Sequence, residues 1–309
     1  MLVIDMDIEL FRNDSRKIFL ELLCKELLSY LKSDERTATA IEGLMLTRID
    51  HQTAPEQCLY YPLIALVVQG RKQAFYGERE ISYGAGEYVV LGNDMPGIYH
   101  ILDSSPENPF LSISIRLDPK IITNLILDDM PNSAIAQNSD YPAIAKETAS
   151  CDLLLAFYRL LRLLDSPETI PLFAPSLIRE IHYTVLNGKH GEKIRLAVTP
   201  GTRDNRIAQA IAWMRGHFKE SFSMPELARN AGMAPATFNR YFRELTSISP
   251  LQFQKRLRLY EAQRLMFLEN MDARSASSLV GYESEAQFSR EYKRLFGQPP
   301  AQDAAKSHA

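Results

Sequence analysis

The spacing of apolar residues changes twice along this chain. Asp14 to Lys32 carries a mixed stripe at helical spacing, with Ile18, Leu22 and Leu28 on it and Asp14 or Ser15 placed to cap it. From Leu44 to Asp118 the period drops to two. Leu63 to Gln69 is a continuous apolar run bounded by Pro62 and Gly70, as for a strand buried on both faces. Lys72 to Ile81 reads as a hairpin around Gly77-Glu78, and Gly86–Leu91 and Gly97–Leu102 read as further strands. Leu111, Ile113, Ile115 and Leu117 then alternate with Ser112, Ser114 and Arg116. About six short strands with Gly/Pro turns predict a small antiparallel barrel. Helical spacing returns at Thr148–Leu164 and Pro171–Leu186. It persists, after a break at Ala197–Asp204, through Ile207, Ile211, Met214 and Phe218, with Asp204 as a candidate cap and Trp213 beside the stripe as a core residue.

The last hundred residues hold one pattern twice. The first copy has Leu227-Ala228, Gly232 and the run Phe238-Asn239-Arg240-Tyr241-Phe242-Arg243. The second has Ala276-Ser277, Gly281 and Phe288-Ser289-Arg290-Glu291-Tyr292-Lys293. Ala228 and Ser277 are small enough for two helices to cross closely, and Gly232 and Gly281 tolerate the positive φ of a tight turn. Residues four apart share a helix face, so Phe238/Phe242 and Phe288/Tyr292 point inward. Asn239, Arg240, Arg243, Ser289, Arg290 and Lys293 then point outward. This is a helix-turn-helix, repeated. Ser223 and Pro235 mark helix starts, and Ser249-Pro250 opens a longer helix to about Leu268, striped by Phe253, Leu257, Leu265 and Leu268, that joins the two units.

The run GMAPATFNRYFREL, then SPLQFQKRLRLYEAQRLM, then VGYESEAQFSREYKRLFGQPP, resembles the DNA-binding domain of the AraC/XylS transcriptional regulators. The resemblance implies two recognition helices in successive major grooves on one face of double-stranded promoter DNA. Carried over by position, Ala236, Thr237, Asn239 and Arg240 face the DNA in the first unit, with Arg243 at a phosphate. Ser284, Glu285, Ala286, Gln287, Ser289 and Arg290 correspond in the second, with Lys293 near the backbone. Two departures stand out: Ala234 where the family usually has a serine cap, and Ser247 in place of a common turn glycine. A methyl group at Ala236 gives the first helix little to read with.

Composition changes this picture in one respect. The chain has 309 residues, enough for two domains, and a net charge of −3. From Arg203 onward, however, 16 Lys and Arg face 11 Asp and Glu, a net of +5, which leaves −8 before it. A basic C-terminal half attached to an acidic partner fits a DNA reader fused to something else. Cys24, Cys58 and Cys151 are odd in number and show no metal spacing, which suits a reducing cytoplasm. The longest apolar run, Leu63–Val68, is far short of the ~18 residues that span a membrane. Met1–Leu10 has no basic residue to open a secretory signal.

The run CLYYPLIALVVQGRKQAFYGEREISYGAGEYVVL, continuing to SISIRLDP, resembles the cupin-like N-terminal domain of an AraC-type subgroup. The fold expected is therefore α+β: an N-terminal cupin-like β-barrel with flanking helices (residues 1–190), a linker (191–204), and an all-α domain of two helix-turn-helix units (205–309) with a disordered tail from Ala301. The family implies a homodimer through the helices after the barrel, contact with RNA polymerase, and a possible small-molecule effector. Gln69, Arg71, Tyr76, Tyr99, His100 and Arg116 are the polar and amphipathic candidates for lining its pocket. Cupin enzymes hold a metal with an HxH pair; this chain has none, and His100 and His51 stand alone, so no cofactor or metal and no catalytic residue is expected. Cys58 is either a packing thiol or a reactive one. A cupin enzyme fused to DNA-binding helices, and a regulator with a purely structural barrel, are the competing readings.

Overall fold

The computed structural model describes residues 2–77, 79–129, 144–189 and 191–307; Met1, Glu78 of the expected hairpin turn, His190 and the last two residues lie outside them. In chain order the elements begin with α1 (Leu2–Tyr30), β1 (Glu35–Ala38), β2 (Leu44–Ile49), β3 (Glu56–Tyr60), β4 (Leu63–Gln69) and β5 (Arg71–Tyr76). They continue with β6 (Arg79–Gly84), β7 (Glu87–Leu91), β8 (Met95–Leu102), β9 (Phe110–Arg116), α2 (Pro119–Asp129) and β10 (Ile144–Thr148). Helices α3 (Cys151–Arg162), α4 (Ile170–Leu186), α5 (Gly191–Val198) and α6 (Arg203–His217) follow. The two repeated units comprise α7 (Met224–Asn230), α8 (Pro235–Thr246), α9 (Pro250–Leu268), α10 (Ala273–Leu279), α11 (Glu285–Phe296) and α12 (Pro300–Ser307).

The strands form two facing antiparallel sheets, β1-β2-β9-β4-β7-β10 and β3-β8-β5-β6, rather than one closed barrel. Gly70, at φ +81°, switches the chain from the first sheet to the second, and a Cβ there would sit 3.1 Å from the Phe110 backbone. The continuous apolar run of β4 serves both faces. Ile64, Leu66 and Val68 pack with α1, α3 and α4 in one core, while Val67, with Leu63 and Ala65, faces the second sheet in another. On β9 and β2 the alternation has an unexpected sense. Leu111, Ile113, Ile115, Leu44 and Leu46 lie against the helices. Thr47, Ser112 and Ser114 line a cavity between the sheets instead of facing solvent.

Five sequence expectations shift. The first helix begins at Leu2, no proline or glycine interrupting it, and its buried stripe is Leu23 and Leu27, continued by Leu31 just past its end, while Ile18 is exposed. Residues 191–198 of the expected linker form α5, because Lys193 finds Asp204 across the turn at 2.6 Å; Thr202, not Asp204, caps α6. Residues 301–307 of the expected disordered tail belong to α12, held by Asp303, which accepts from the Tyr292 hydroxyl (2.6 Å) and Gln263 (3.0 Å). Leu268, at the end of α9, is exposed; Phe253 and Leu257 pack into the first unit's core and Leu259, Ala262, Leu265 and Met266 into the second's. Among the described residues no helix is long and apolar enough to cross a membrane.

Candidate nucleic-acid interface

The repeated motif folds twice in the same way. In the first unit the Ser223 hydroxyl accepts from the Glu226 amide, opening α7. The turn passes through Gly232 (φ +64°), and the Met233 amide closes it on the Ala228 carbonyl at 2.9 Å. In the second, Asp272 caps α10, the turn passes through Gly281 (φ +88°), and the Tyr282 amide reaches the Ser277 carbonyl at 3.0 Å. Ala228 and Ser277 are buried where the helices cross. A Cβ on Gly281 would fall 2.3 Å from the Lys219 carbonyl, so the close approach requires glycine. Phe238, Phe242 and Phe253 form one ring cluster and Phe288, Tyr292 and Phe296 the other, with centroids 4.5–5.6 Å apart.

With the aromatics turned inward, the opposite faces of α8 and α11 carry the polar residues. Ala236, Arg240, Arg243, Ser284, Glu285, Ala286, Gln287, Arg290 and Lys293 are exposed; Thr237, Asn239 and Ser289 are half-buried. Three of these have work within the protein. Ser284 caps α11, Gln287 donates to Glu291 at 3.1 Å, and Arg240 lies over the Tyr241 ring at 4.7 Å. The Oδ1 of Asn239 is buried with no partner among the described residues. Arg290 and Lys293 each project from a helix whose first turn is capped and whose last turn ends at Gly297 (φ +84°). The corresponding end of α8 is less well made. Ala234 makes no side-chain cap bond, and Ser247 adopts φ +64° without being glycine.

Helix α9 fixes the two units relative to each other. A capping box between Ser249 and Gln252 opens it. The Arg258 guanidinium donates to the carbonyls of Phe218 (2.7 Å), Gly281 (2.7 Å), Lys219 (3.1 Å) and Glu220 (3.1 Å), so one side chain ties α9 to the end of the α6 segment and to the second turn. Lys255 on α9 reaches Glu291 on α11. Burial raises the Glu291 carboxyl, but hydrogen bonds from Lys255, Gln287 and Tyr282 outweigh it and hold the group below the usual carboxylate range.

The sheets supply a second kind of site. Between them lies a cavity of about 220 Å³ walled by Leu63, Val89, Leu91, Ile101 and Phe110, with Thr47, Ser112 and Ser114 along one side. Lys72 enters it from β5, its ammonium 4.2 Å from the Tyr99 ring centroid and 5.3 Å from that of Tyr60. Burial, reinforced by Arg36, pulls the Lys72 ammonium down to about 8. Burial pushes the Cys58 thiol up, against the influence of Lys72. Of the residues singled out from the sequence, Tyr99 lines this cavity and Tyr76 packs behind it. Gln69 instead donates to the Pro109 carbonyl, Arg71 is exposed, and His100 pairs with Gln73 on the outer face and stacks on Phe75. Arg116 stands at a different cleft, between the sheets and α6. Lys72 was legible in principle: it shares the inward phase of Ala74 and Tyr76 on β5. Among the described residues no three His, Cys, Asp or Glu side chains gather to hold a metal ion.

The two halves touch through specific groups. Arg215 of α6 pairs with the buried Asp94 at 2.7 Å, and Leu59 of β3 packs into the first helix-turn-helix core. Ser247 abuts Gly77 in the β5–β6 turn so closely that a Cβ on the glycine would lie 2.6 Å away.

Comparison with known proteins agrees with this layout. The sequence model for the AraC-type transcriptional regulator N-terminus matches residues 40–193, and one for a helix-turn-helix domain matches residues 227–306. The regulator GbdR of Pseudomonas aeruginosa is 26% identical over 120 residues, 39% of this chain and 33% of its own length. The activator RhaS of Yersinia pestis is 26% identical over 98 residues, 32% of this chain and 36% of its own. The chain thus matches about a third of the length of these curated relatives. The fold is shared more widely. Apo ToxT K231A of Vibrio cholerae superposes with a TM-score of 0.60 at 8% identity, over 87% of this chain and 99% of that one. Wild-type ToxT bound to an unsaturated fatty acid gives 0.59 at 8% identity, over 87% and 96%. With a matching N-terminal domain, a matching helix-turn-helix domain and regulators as its relatives, the chain belongs to the AraC/XylS family of transcriptional regulators.

Proposed function

We propose that this protein is a sequence-specific transcription regulator rather than an enzyme, reading promoter DNA with α8 and α11 and gated by a small molecule in its N-terminal domain. The observation that carries the reading is the duplicated unit itself: two glycine turns, one connecting helix, and two outward faces bearing Arg240/Arg243 and Arg290/Lys293. Arginine pairs bidentately with guanine and asparagine with adenine in the major groove, each worth ~1–3 kcal/mol of discrimination. Arg243 and Lys293 act on phosphates, fixing register. The effector occupies the cavity between the sheets, where Lys72, Tyr99 and Arg36 supply polar contacts to an apolar-walled space. ToxT, which shares the fold, has been captured with a fatty acid bound, and a ligand of that general kind suits the walls here. A ligand that binds two domain arrangements unequally shifts their populations and so the availability of the recognition helices. Action in the cytoplasm as a homodimer that contacts RNA polymerase completes the proposal.

The test is genome-wide occupancy of the tagged protein, followed by gel-shift titration of the sites found. A few sharp sites sharing a two-part motif about one helical turn apart support the reading. Arg290→Ala should then cost ~1–3 kcal/mol on the specific site and relax preference at one or two positions. Equal loss on all sequences would place Arg290 at a phosphate, and diffuse occupancy would refute sequence-specific reading.

A further inference from the structure

A second recess lies where the N-terminal domain meets α6, apart from the cavity between the sheets. It measures about 340 Å³ and draws on four elements. Ile122 of α2, Ile194 and Val198 of α5, and Ala208 and Ala212 of α6 form an apolar trough. Its polar end is Asn93, Asp94, Arg116 and Arg215. The polar groups are not equivalent. Asp94 and Arg215 satisfy each other at 2.7 Å. Asn93 is only 4% exposed and lines the cleft, where its side-chain amide is open to a ligand rather than sealed in the core. Arg116 makes no salt bridge among the described residues, though its charge also draws on the Asp94 carboxylate that Arg215 holds; its guanidinium lies over the Tyr61 ring at 5.7 Å, on which Arg215 also stacks at 5.2 Å. With two cations and one anion, the polar end is left with one positive charge in excess.

We infer that this cleft binds a small organic monoanion, an apolar or aromatic body carrying one carboxylate or sulfonate. The acid group meets Arg116 and the Asn93 amide, and the body lies along α5 and α6. Because α6 is the first helix of the DNA-binding half, such a ligand bridges the two halves and clamps them in the docked arrangement seen here. This is a different site from the one proposed for the effector, with different residues and a different consequence.

The test uses the full-length protein and the fluorescent anion 8-anilinonaphthalene-1-sulfonate, titrated into wild type, Arg116→Met, Asn93→Leu, Ala212→Phe and Lys72→Met. Circular dichroism and gel shift on nonspecific DNA confirm that each variant is folded. The expected result is a saturable site weakened about tenfold or more by Arg116→Met and by Asn93→Leu. Ala212→Phe, which fills an exposed position on the trough, should abolish it, whereas Lys72→Met should leave it intact. Benzoate or octanoate should compete. Loss of the site in Lys72→Met with the cleft variants unaffected would place the anion between the sheets and overturn the inference while leaving the effector proposal standing. Binding unchanged in all four variants would overturn it as surface adsorption.

Discussion

Replacing Asp204 with asparagine should destabilise this protein far more than its position near a domain boundary suggests. Its carboxylate is 3% exposed and faces Lys193, itself 8% exposed, at 2.6 Å, with Arg203 at 3.1 Å. Arg203 is 29% exposed and can turn to water. Lys193 cannot, so Asp204→Asn leaves a buried ammonium without its anion. Breaking a buried pair on one side costs ~3–5 kcal/mol, most of it the stranded charge. That is a fall in the unfolding midpoint on the order of 10 °C for a protein of this size. The effect also reaches α8, because Arg203 pairs with Glu244 of that helix at 3.5 Å and lies over Tyr241 at 4.7 Å. The assay is denaturant unfolding followed by fluorescence of Trp213, the only tryptophan, which lies on α6 stacked against His217 at 4.4 Å. The double variant Lys193→Met/Asp204→Leu removes both charges and should recover to within about 1 kcal/mol of wild type. A loss below ~1 kcal/mol in Asp204→Asn alone would refute the reasoning, since it would mean that water reaches Lys193.

Three further outcomes are expected. Ala234→Ser should stabilise the C-terminal half by ~1 kcal/mol, because Ala234 already has extended cap geometry and lacks only the oxygen; no gain in its thermal midpoint would mean the first turn of α8 is satisfied otherwise. Lys293→Ala should lower the slope of log affinity against log salt by about one unit, and an unchanged slope would remove it from the phosphate contacts. His182 is buried, with Nε2 accepting from the Asp118 amide at 3.0 Å and Nδ1 donating to the Ile178 carbonyl at 2.7 Å. Burial lowers its pKa below the ordinary ~6.5, against the pull of Ile178 and Asp118. Its contribution is therefore present above ~6.5 and lost as pH falls through the folded value; midpoints at pH 7.5 and 5.5 should differ more in wild type than in His182→Gln, and equal differences would refute the neutral tautomer.

What the sequence reveals here depends on whether a residue's role is local. The helix-turn-helix units are legible because each requirement recurs 49 or 50 positions later: the small residue, the glycine, the paired aromatics. Their outward faces follow from helical period alone. The sheets are only half legible. Alternation divides β9 into two sets but does not say that the serine set faces an enclosed space; that follows from a second sheet arriving opposite, through pairings far apart in sequence. For the same reason Lys72 looks like a surface residue of a hairpin and His100 like a pocket residue, when their phases on neighbouring strands put them the other way round. Helix α5 escapes notice because Lys193 reads as solvent-facing until Asp204 lies beside it. The cleft at α6 has no local signal: Asn93, Arg116 and Ala212 acquire a common purpose only when the halves dock.

Helix α9 is also a ruler. Its 19 residues run about 28 Å at 1.5 Å per residue, and each residue also turns the chain by ~100°. Phe253 and Leu257 are keyed into one unit, Leu259 and Ala262 into the other, and Arg258 locks the angle between them. Length and phase are thus a single quantity. Deleting one residue from the middle of α9 would shorten the span by little more than an ångström yet swing one recognition face a quarter turn away from the other. Substitutions on its exposed side can drift freely, but insertions and deletions cannot, and the pitch of DNA is in that sense written into the length of a protein helix.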